Sequence, residues 1–240
     1  MDDPISKLYP ELAAVESMSA LIRSRHDLPQ EVTVTGFEEY GGSRLWAELS
    51  SSKRGSSVTV AVEERAFLVV CSEGGVNLAH LSTRSLDVVI RALDGWHVQG
   101  SRVGEMQSEL PDVSIRDGAQ EYESGPSEFV AYRWHAIQLW LEQSDPSLCL
   151  ALAADDGERL RGLMPVRTMA GLAFSSCTGD PHVRGPVIGE AVNGRHRVSF
   201  REVVSDGHTA SEAVGRAIQL LPSDFGPAQH GTATSLAGPN

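Results

Sequence analysis

The feature that most constrains the fold is a change of hydrophobic period near residue 31. The runs "EVTVTGF", "SRLWAEL", "SSVTVAVEE" and "AFLVVCS" follow one another, each rich in β-branched or aromatic residues. They are separated only by "EYGG", "SSSKRGS" and the charged "EER". Separators this short cannot hold the crossover of a dozen or so residues that parallel neighbours need, so the runs predict an antiparallel meander.

Helices flank this block. Leu8, Leu12, Val15 and Ile22 recur near helical spacing over residues 8–24, with Pro10 suited to a first turn and "HDLP" as the stop, which predicts one opening helix. In "LSTRSLDVVIRALDGW", Ser82 or Thr83 is placed to cap, Leu86, Val89, Ile90 and Leu93 form the stripe, and Gly95 ends it.

Residues 99–126 are polar and rich in Gly, Ser, Asp and Glu, with a short strand expected at "DVSI". The expected division is therefore an N-terminal half over 1–110, a linker over 111–126, a C-terminal half over 127–232 and a tail over 233–240. In the second half Val130, Trp134, Ile137 and Leu141 line one helix face, and "SDPSLCLALAADDG" supplies cap, first-turn proline and stop for another helix. "LRGLMP", the strand "GLAFSSC", the turn "TGDP", the strand "PVIGEAV", the turn "NG" and the strand "RHRVSFREVV" follow. Thr209 and Glu212 have capping-box spacing at the start of a final helix, and the chain from "LPSDFGPAQHG" to "TATSLAGPN" reads as an irregular tail. Short grouped strands with helices set apart predict an α+β fold: antiparallel β-meanders with helices packed on one side, in two similar α+β halves.

Composition narrows the function classes. With 240 residues, 41% hydrophobic and 22% charged, the chain can bury a core of ordinary size. A formal net charge of −12 argues against a nucleic-acid partner, since phosphate binding needs clustered basic surface. Cys71, Cys149 and Cys177 are odd in number and widely spaced, which fits neither a disulfide framework nor a CxxC zinc site. The N-terminus lacks the basic and apolar regions of a signal peptide, and no run approaches the roughly eighteen apolar residues of a membrane span. The expectation is a soluble cytoplasmic protein with no membrane contact.

The densest group of reactive side chains is "AFSSCTGDPHVRGP", which sets Ser175, Ser176, Cys177, Asp180 and His182 close together. The stretch lacks a GxSxG elbow, and adjacency alone supplies neither base nor oxyanion hole, so a strand running into a turn is the preferred reading. Asp180 and His182 remain as candidate catalytic residues, because a turn can aim both into a cleft. "YRWHAIQLW" sets Tyr132, Trp134, His135 and Trp140 close together on one helix as a candidate aromatic wall, with Trp134 the candidate binding residue, although a core role for the tryptophans is preferred. Arg133 and Arg167 are candidate anion forks. The eight histidines form no HxxxH, HxH or HExxH, and no GxGxxG or P-loop is present, so no metal and no cofactor are expected.

The stretches "ERLRGLMPVRTMAGLAFSSCTGDP" and "HTASEAVGRAIQLLPSDFGPAQHGTA" resemble DUF6193, an actinobacterial family of unknown function associated with natural-product biosynthesis. The matching positions are Leu160, Arg161, Leu163, Pro165, Leu172, Phe174, Ser175 and Thr178, then Leu221, Pro222, Gly226, Pro227, Ala228, Gly231 and Thr232. "LSTRSLDVVIRALDGW" also looks like the family. Where the family pattern has a TSH-like step, this chain has Arg167, Thr168 and Met169, so the histidine is missing. The resemblance implies an accessory protein of specialised-metabolite (antibiotic) biosynthesis that binds a small molecule, a carrier-bound intermediate or a partner enzyme, and it carries over no catalytic residue. Two other classes stand beside it: a cofactor-independent cyclase or isomerase using Asp180 or His182, and a toxin-neutralising or scaffold protein whose acidity suits a basic partner.

Overall fold

The computed structural model describes residues 4–37, 43–154 and 158–237. The expected "EYGG" turn and the residues 155–157 of the expected "ADDG" stop lie outside them. The chain forms two compact units, Met1–Glu123 and Ser124–Asn240. The fold is α+β, and each unit is built on an antiparallel meander in which every strand pairs with its neighbour in sequence.

The first unit opens with three short helices, α1 (Pro4–Leu8), α2 (Pro10–Ala13) and α3 (Met18–Arg25), where one was expected. Pro10 disfavours helical backbone at Tyr9, which takes φ −131° and ψ 74°, and Ser17 caps α3 by accepting the Ala20 N–H at 3.2 Å. The sheet runs β1 (Thr33–Phe37), β2 (Ser43–Ser50), β3 (Arg54–Val60), β4 (Phe67–Glu73), β5 (Val76–Thr83) and β6 (Val113–Ile115). Ser56, Val58 and Val60 stand opposite Cys71, Val69 and Phe67, and all six are buried on one face. This is the period-2 pattern of a sheet covered on one side.

Strand β5 occupies "VNLAHLST", so Ser82 and Thr83 are strand residues and the N-cap of helix α4 (Leu86–Leu93) is Ser85. Nor does Gly95 end that helix. The chain continues as a π-helical turn over Asp94–Gln99 and stops at Gly100, which adopts the left-handed conformation at φ 71°. The wider turn buries the Trp96 indole, whose N–H reaches the Gly55 carbonyl at 3.0 Å, and sets His97 Nε2 2.9 Å from Ser56 Oγ. Residues 111–126, expected as a linker, are folded: β6 pairs with β5, and helices α5 (Val103–Glu109) and α6 (Ala119–Ser124) bracket it. Their polar composition reflects exposure on one side, while Val103, Met106, Val113 and Tyr122 are buried.

In the second unit, α7 (Pro126–Ser144) and α8 (Pro146–Ala154) precede α9 (Glu158–Arg161) and the sheet β7 (Met164–Thr168), β8 (Gly171–Ser175), β9 (Arg184–Ile188), β10 (His196–Phe200) and β11 (Val203–His208). "RHRVSFREVV" is a hairpin rather than one strand, turning at Arg201 with φ 53°; no Gly or Asn marks this turn. The "NG" turn holds Asn193 at φ 53° and Gly194 at φ 71°, the two positive values that a type I′ turn requires. Helix α10 (Ala210–Leu220) begins with the Thr209/Glu212 capping box and lays Ala213, Val214 and Ala217 into the core. The following segment is tied back into the fold: Ala228 N–H donates to Gly162 O at 2.8 Å and Gln229 N–H to Ser176 O at 3.0 Å, before the short helix α11 (Ala233–Leu236). Among the described residues no helix is long and apolar enough to cross a membrane.

Candidate functional site

The stretch that opens with Phe174 is a strand entering a turn. Ser175 and Cys177 are 1% and 0% exposed. The Ser175 hydroxyl donates to the Cys177 carbonyl at 2.9 Å and accepts the Cys177 N–H at 3.0 Å, while Cys177 Sγ accepts the Val183 N–H. Thr178 N–H and Gly179 N–H donate to the carbonyls of Gln229 and Gly231 at 3.0 and 2.8 Å, which fastens the turn to the C-terminal segment. Both side chains are thus enclosed and occupied, and neither presents a nucleophile.

That fastening aims His182 outward. The imidazole is half-buried, and its Nδ1 is the enclosed nitrogen, without a hydrogen-bond partner of normal geometry. Burial lowers the His182 pKa; Asp180 and the carbonyls of Cys177 and Gly179 oppose this, and Arg133 adds to it. With Nδ1 enclosed, Nε2 is the nitrogen left to meet a ligand. His182 lines a cleft of about 630 Å³ together with Ser176, Arg184, Asp224, Gln229 and the apolar Val183 and Leu236.

Of the five candidate residues, three therefore interact. Asp180 lies two positions before His182 and is exposed, and the Arg133 cation on α7, its own Nε buried and unpartnered, acts on the same imidazole through its charge. The other two lie elsewhere. Trp134 belongs to the core: its indole N–H donates to the Leu163 carbonyl at 3.0 Å and its ring stacks on Phe174 at 6.1 Å. Arg167 stacks on Trp140, 4.6 Å from the ring centre, beside a separate pocket.

Of the candidate aromatic wall, Trp140 rather than Trp134 is the tryptophan at a cavity; the helical stripe through Val130, Trp134, Ile137 and Leu141 already assigned Trp134 to the core, and Trp140 falls beside that stripe. One feature escaped the sequence. His196 Nε2 faces Asp145 Oδ2 at 3.6 Å, a pairing across 51 positions that no local spacing announces. Among the described residues no group of three or more His, Cys, Asp or Glu side chains is arranged to hold a metal ion.

Most positions that carry the family resemblance are framework. Leu160, Leu163, Leu172, Phe174, Ser175, Thr178, Leu221 and Ala228 are all buried, and the "GPA" segment is hydrogen-bonded to residues 162 and 176. Neither the curated proteins nor the solved structures contain a match to the chain. A family model does match, beginning at residue 128, so the similarity drawn at "LSTRSLDVVIRALDGW" lies outside it. Residues 128–232 match the model of DUF6193, a family of unknown function.

Proposed function

We propose that the chain is a cytoplasmic accessory protein of specialised-metabolite biosynthesis whose C-terminal unit holds a small molecule or carrier-bound intermediate in the cleft beside His182. The observation that carries this reading is the cleft itself. Its volume of about 630 Å³ falls in the usual range for small-molecule sites, roughly 300–1,000 Å³, and it joins apolar wall to a few polar groups. His182 Nε2, Arg184 and Gln229 supply donors and acceptors to orient a ligand, and Val183, Pro227 and Leu236 supply apolar contact.

The test is native mass spectrometry of the protein purified from its own host, compared with an acid-denatured sample. A small-molecule mass retained only in the native spectrum, and lost in His182→Ala, is the expected result. A bare mass in both spectra counts against stable binding, and a retained protein mass supports a partner enzyme or a toxin as the ligand.

One observation favours a second reading, a cofactor-independent acid/base step. An imidazole whose pKa is lowered by burial, with a carboxylate two residues away, suits a general base. Turnover that disappears in both His182→Ala and Asp180→Asn, with binding retained, would move the assignment to that class.

A further inference from the structure

We propose that a second pocket in the C-terminal unit binds a free α-amino acid with an apolar side chain. It lies where the end of α7 and the start of α8 meet the sheet, and it shares no lining residue with the His182 cleft. Its volume of about 220 Å³ is below that of drug-sized sites, which limits the ligand to something small.

The floor is apolar and its register is fixed. Arg167 on β7 stands opposite Leu172 on β8, which stands opposite Ile188 on β9, so the three occupy adjacent positions across the sheet. Leu141 and Leu148 close this floor from the helices. Trp140 stands beside it with the Arg167 guanidinium stacked on its ring, an arrangement that orients the guanidinium and leaves its edge N–H groups to meet a carboxylate. Among the described residues Arg167 has no ion-pair partner.

Acceptors gather elsewhere on the rim. Asp145 Oδ1 accepts the Leu148 N–H at 3.1 Å and the Ser147 hydroxyl at 2.8 Å, so that carboxylate is held in place with Oδ2 left over. Oδ2 faces His196 Nε2 at 3.6 Å, and the His196 ring is 1% exposed. His196 Nδ1 lies 3.1 Å from the Gly189 carbonyl, which can only accept, so Nδ1 carries a proton. Nε2 has no hydrogen-bond partner. Glu190, exposed and without an ion-pair partner among the described residues, completes the group. Asp145 and Glu190 place two carboxylates on the lining of this pocket, and carboxylates call for an ammonium. A guanidinium on the same pocket calls for a carboxylate, and the floor takes an aliphatic or aromatic side chain. An amino acid carries all three groups.

Isothermal titration of the full chain at neutral pH with L-leucine, L-methionine and L-phenylalanine tests this, with two fragments of leucine as controls. 3-Methylbutylamine lacks the carboxylate and 4-methylpentanoate lacks the amine. At least one amino acid is expected to bind, with both fragments about tenfold or more weaker, as loss of one charge-assisted contact predicts. Arg167→Ala should weaken the amino acid to the level of the amine while leaving the amine unchanged. Glu190→Gln should weaken the amino acid and leave 4-methylpentanoate unchanged. Both substituted side chains are exposed, so the fold is retained. Absence of binding by all three amino acids overturns the proposal. So does 4-methylpentanoate binding as tightly as leucine. Neither result depends on the His182 cleft.

Discussion

The Trp134 indole N–H donates to the Leu163 carbonyl at 3.0 Å, joining α7 to the residue that leads into β7. A buried tryptophan in this position holds the helix on the sheet and supplies the partner for a carbonyl in an apolar setting. Trp134→Phe keeps most of the ring but leaves that carbonyl unpaired, at a cost of about 1–3 kcal/mol. Trp134→Ala also opens a cavity and should cost about 3–5 kcal/mol. Urea unfolding of the two variants measures the difference. A Trp134→Ala protein as stable as the parent would return this residue to the list of ligand contacts.

Gly171 has no room for a side chain. Its φ is +131°, and a Cβ there would lie 2.1 Å from the Ile188 carbonyl oxygen and 2.7 Å from Gly189 Cα. Gly171→Ala must push β9 away from β8 and should cost on the order of 3 kcal/mol or more. Gly194→Ala is the control: φ is +71°, but nothing described lies within 4 Å of the added Cβ, so only the left-handed strain of about 1–2 kcal/mol is expected. Equal losses in the two variants, read from thermal unfolding, would refute the close approach at Gly171.

The electrostatics of His182 can be read by NMR titration. Burial is the largest influence and lowers its pKa, Asp180 pulls it up, and Arg133 pushes it down. Asp180→Asn removes an anion that stabilises the imidazolium, so the titration should move to lower pH. Arg133→Gln removes a cation that opposes it, so the titration should move to higher pH. Shifts of the opposite sign, or none in either variant, would separate these groups and dissolve the cluster.

The strands of both meanders were legible because one-sided sheets alternate, and the start of α10 was legible because Thr209 and Glu212 bond locally. The errors fall where local chemistry and tertiary packing disagree. Arg201 turns the chain with φ 53° in a sequence that offers no Gly or Asn, and Gly95 is carried through a π-helical turn because the burial of Trp96 outweighs the glycine's preference to stop. Asp180 and His182 could be paired by eye, being two residues apart. The approach of Arg133 to them, and of Asp145 to His196, depends on how α7 lies on the sheet and has no local signature.

His97 in the first unit provides a pH-dependent stability. Burial, the nearby Arg54 cation and His26 lower its pKa from 6.5 to about 4, while Nε2 stays bonded to Ser56. In the unfolded chain the ring titrates near its ordinary value, so between about pH 6.5 and 4 the unfolded state binds more protons than the folded one. The contribution of His97 is therefore present above pH 6.5, falls as the pH drops through that window, and levels off below about 4. Substituting 5-fluorotryptophan lets fluorine NMR follow Trp96, which adjoins His97, separately from the other three tryptophans during urea unfolding. The urea midpoint reported by Trp96 should fall between pH 7 and pH 4. His97→Gln, which keeps an acceptor for Ser56 and cannot titrate, should flatten that dependence. A dependence as steep in His97→Gln as in the parent would assign the acid sensitivity of this unit to its carboxylates instead.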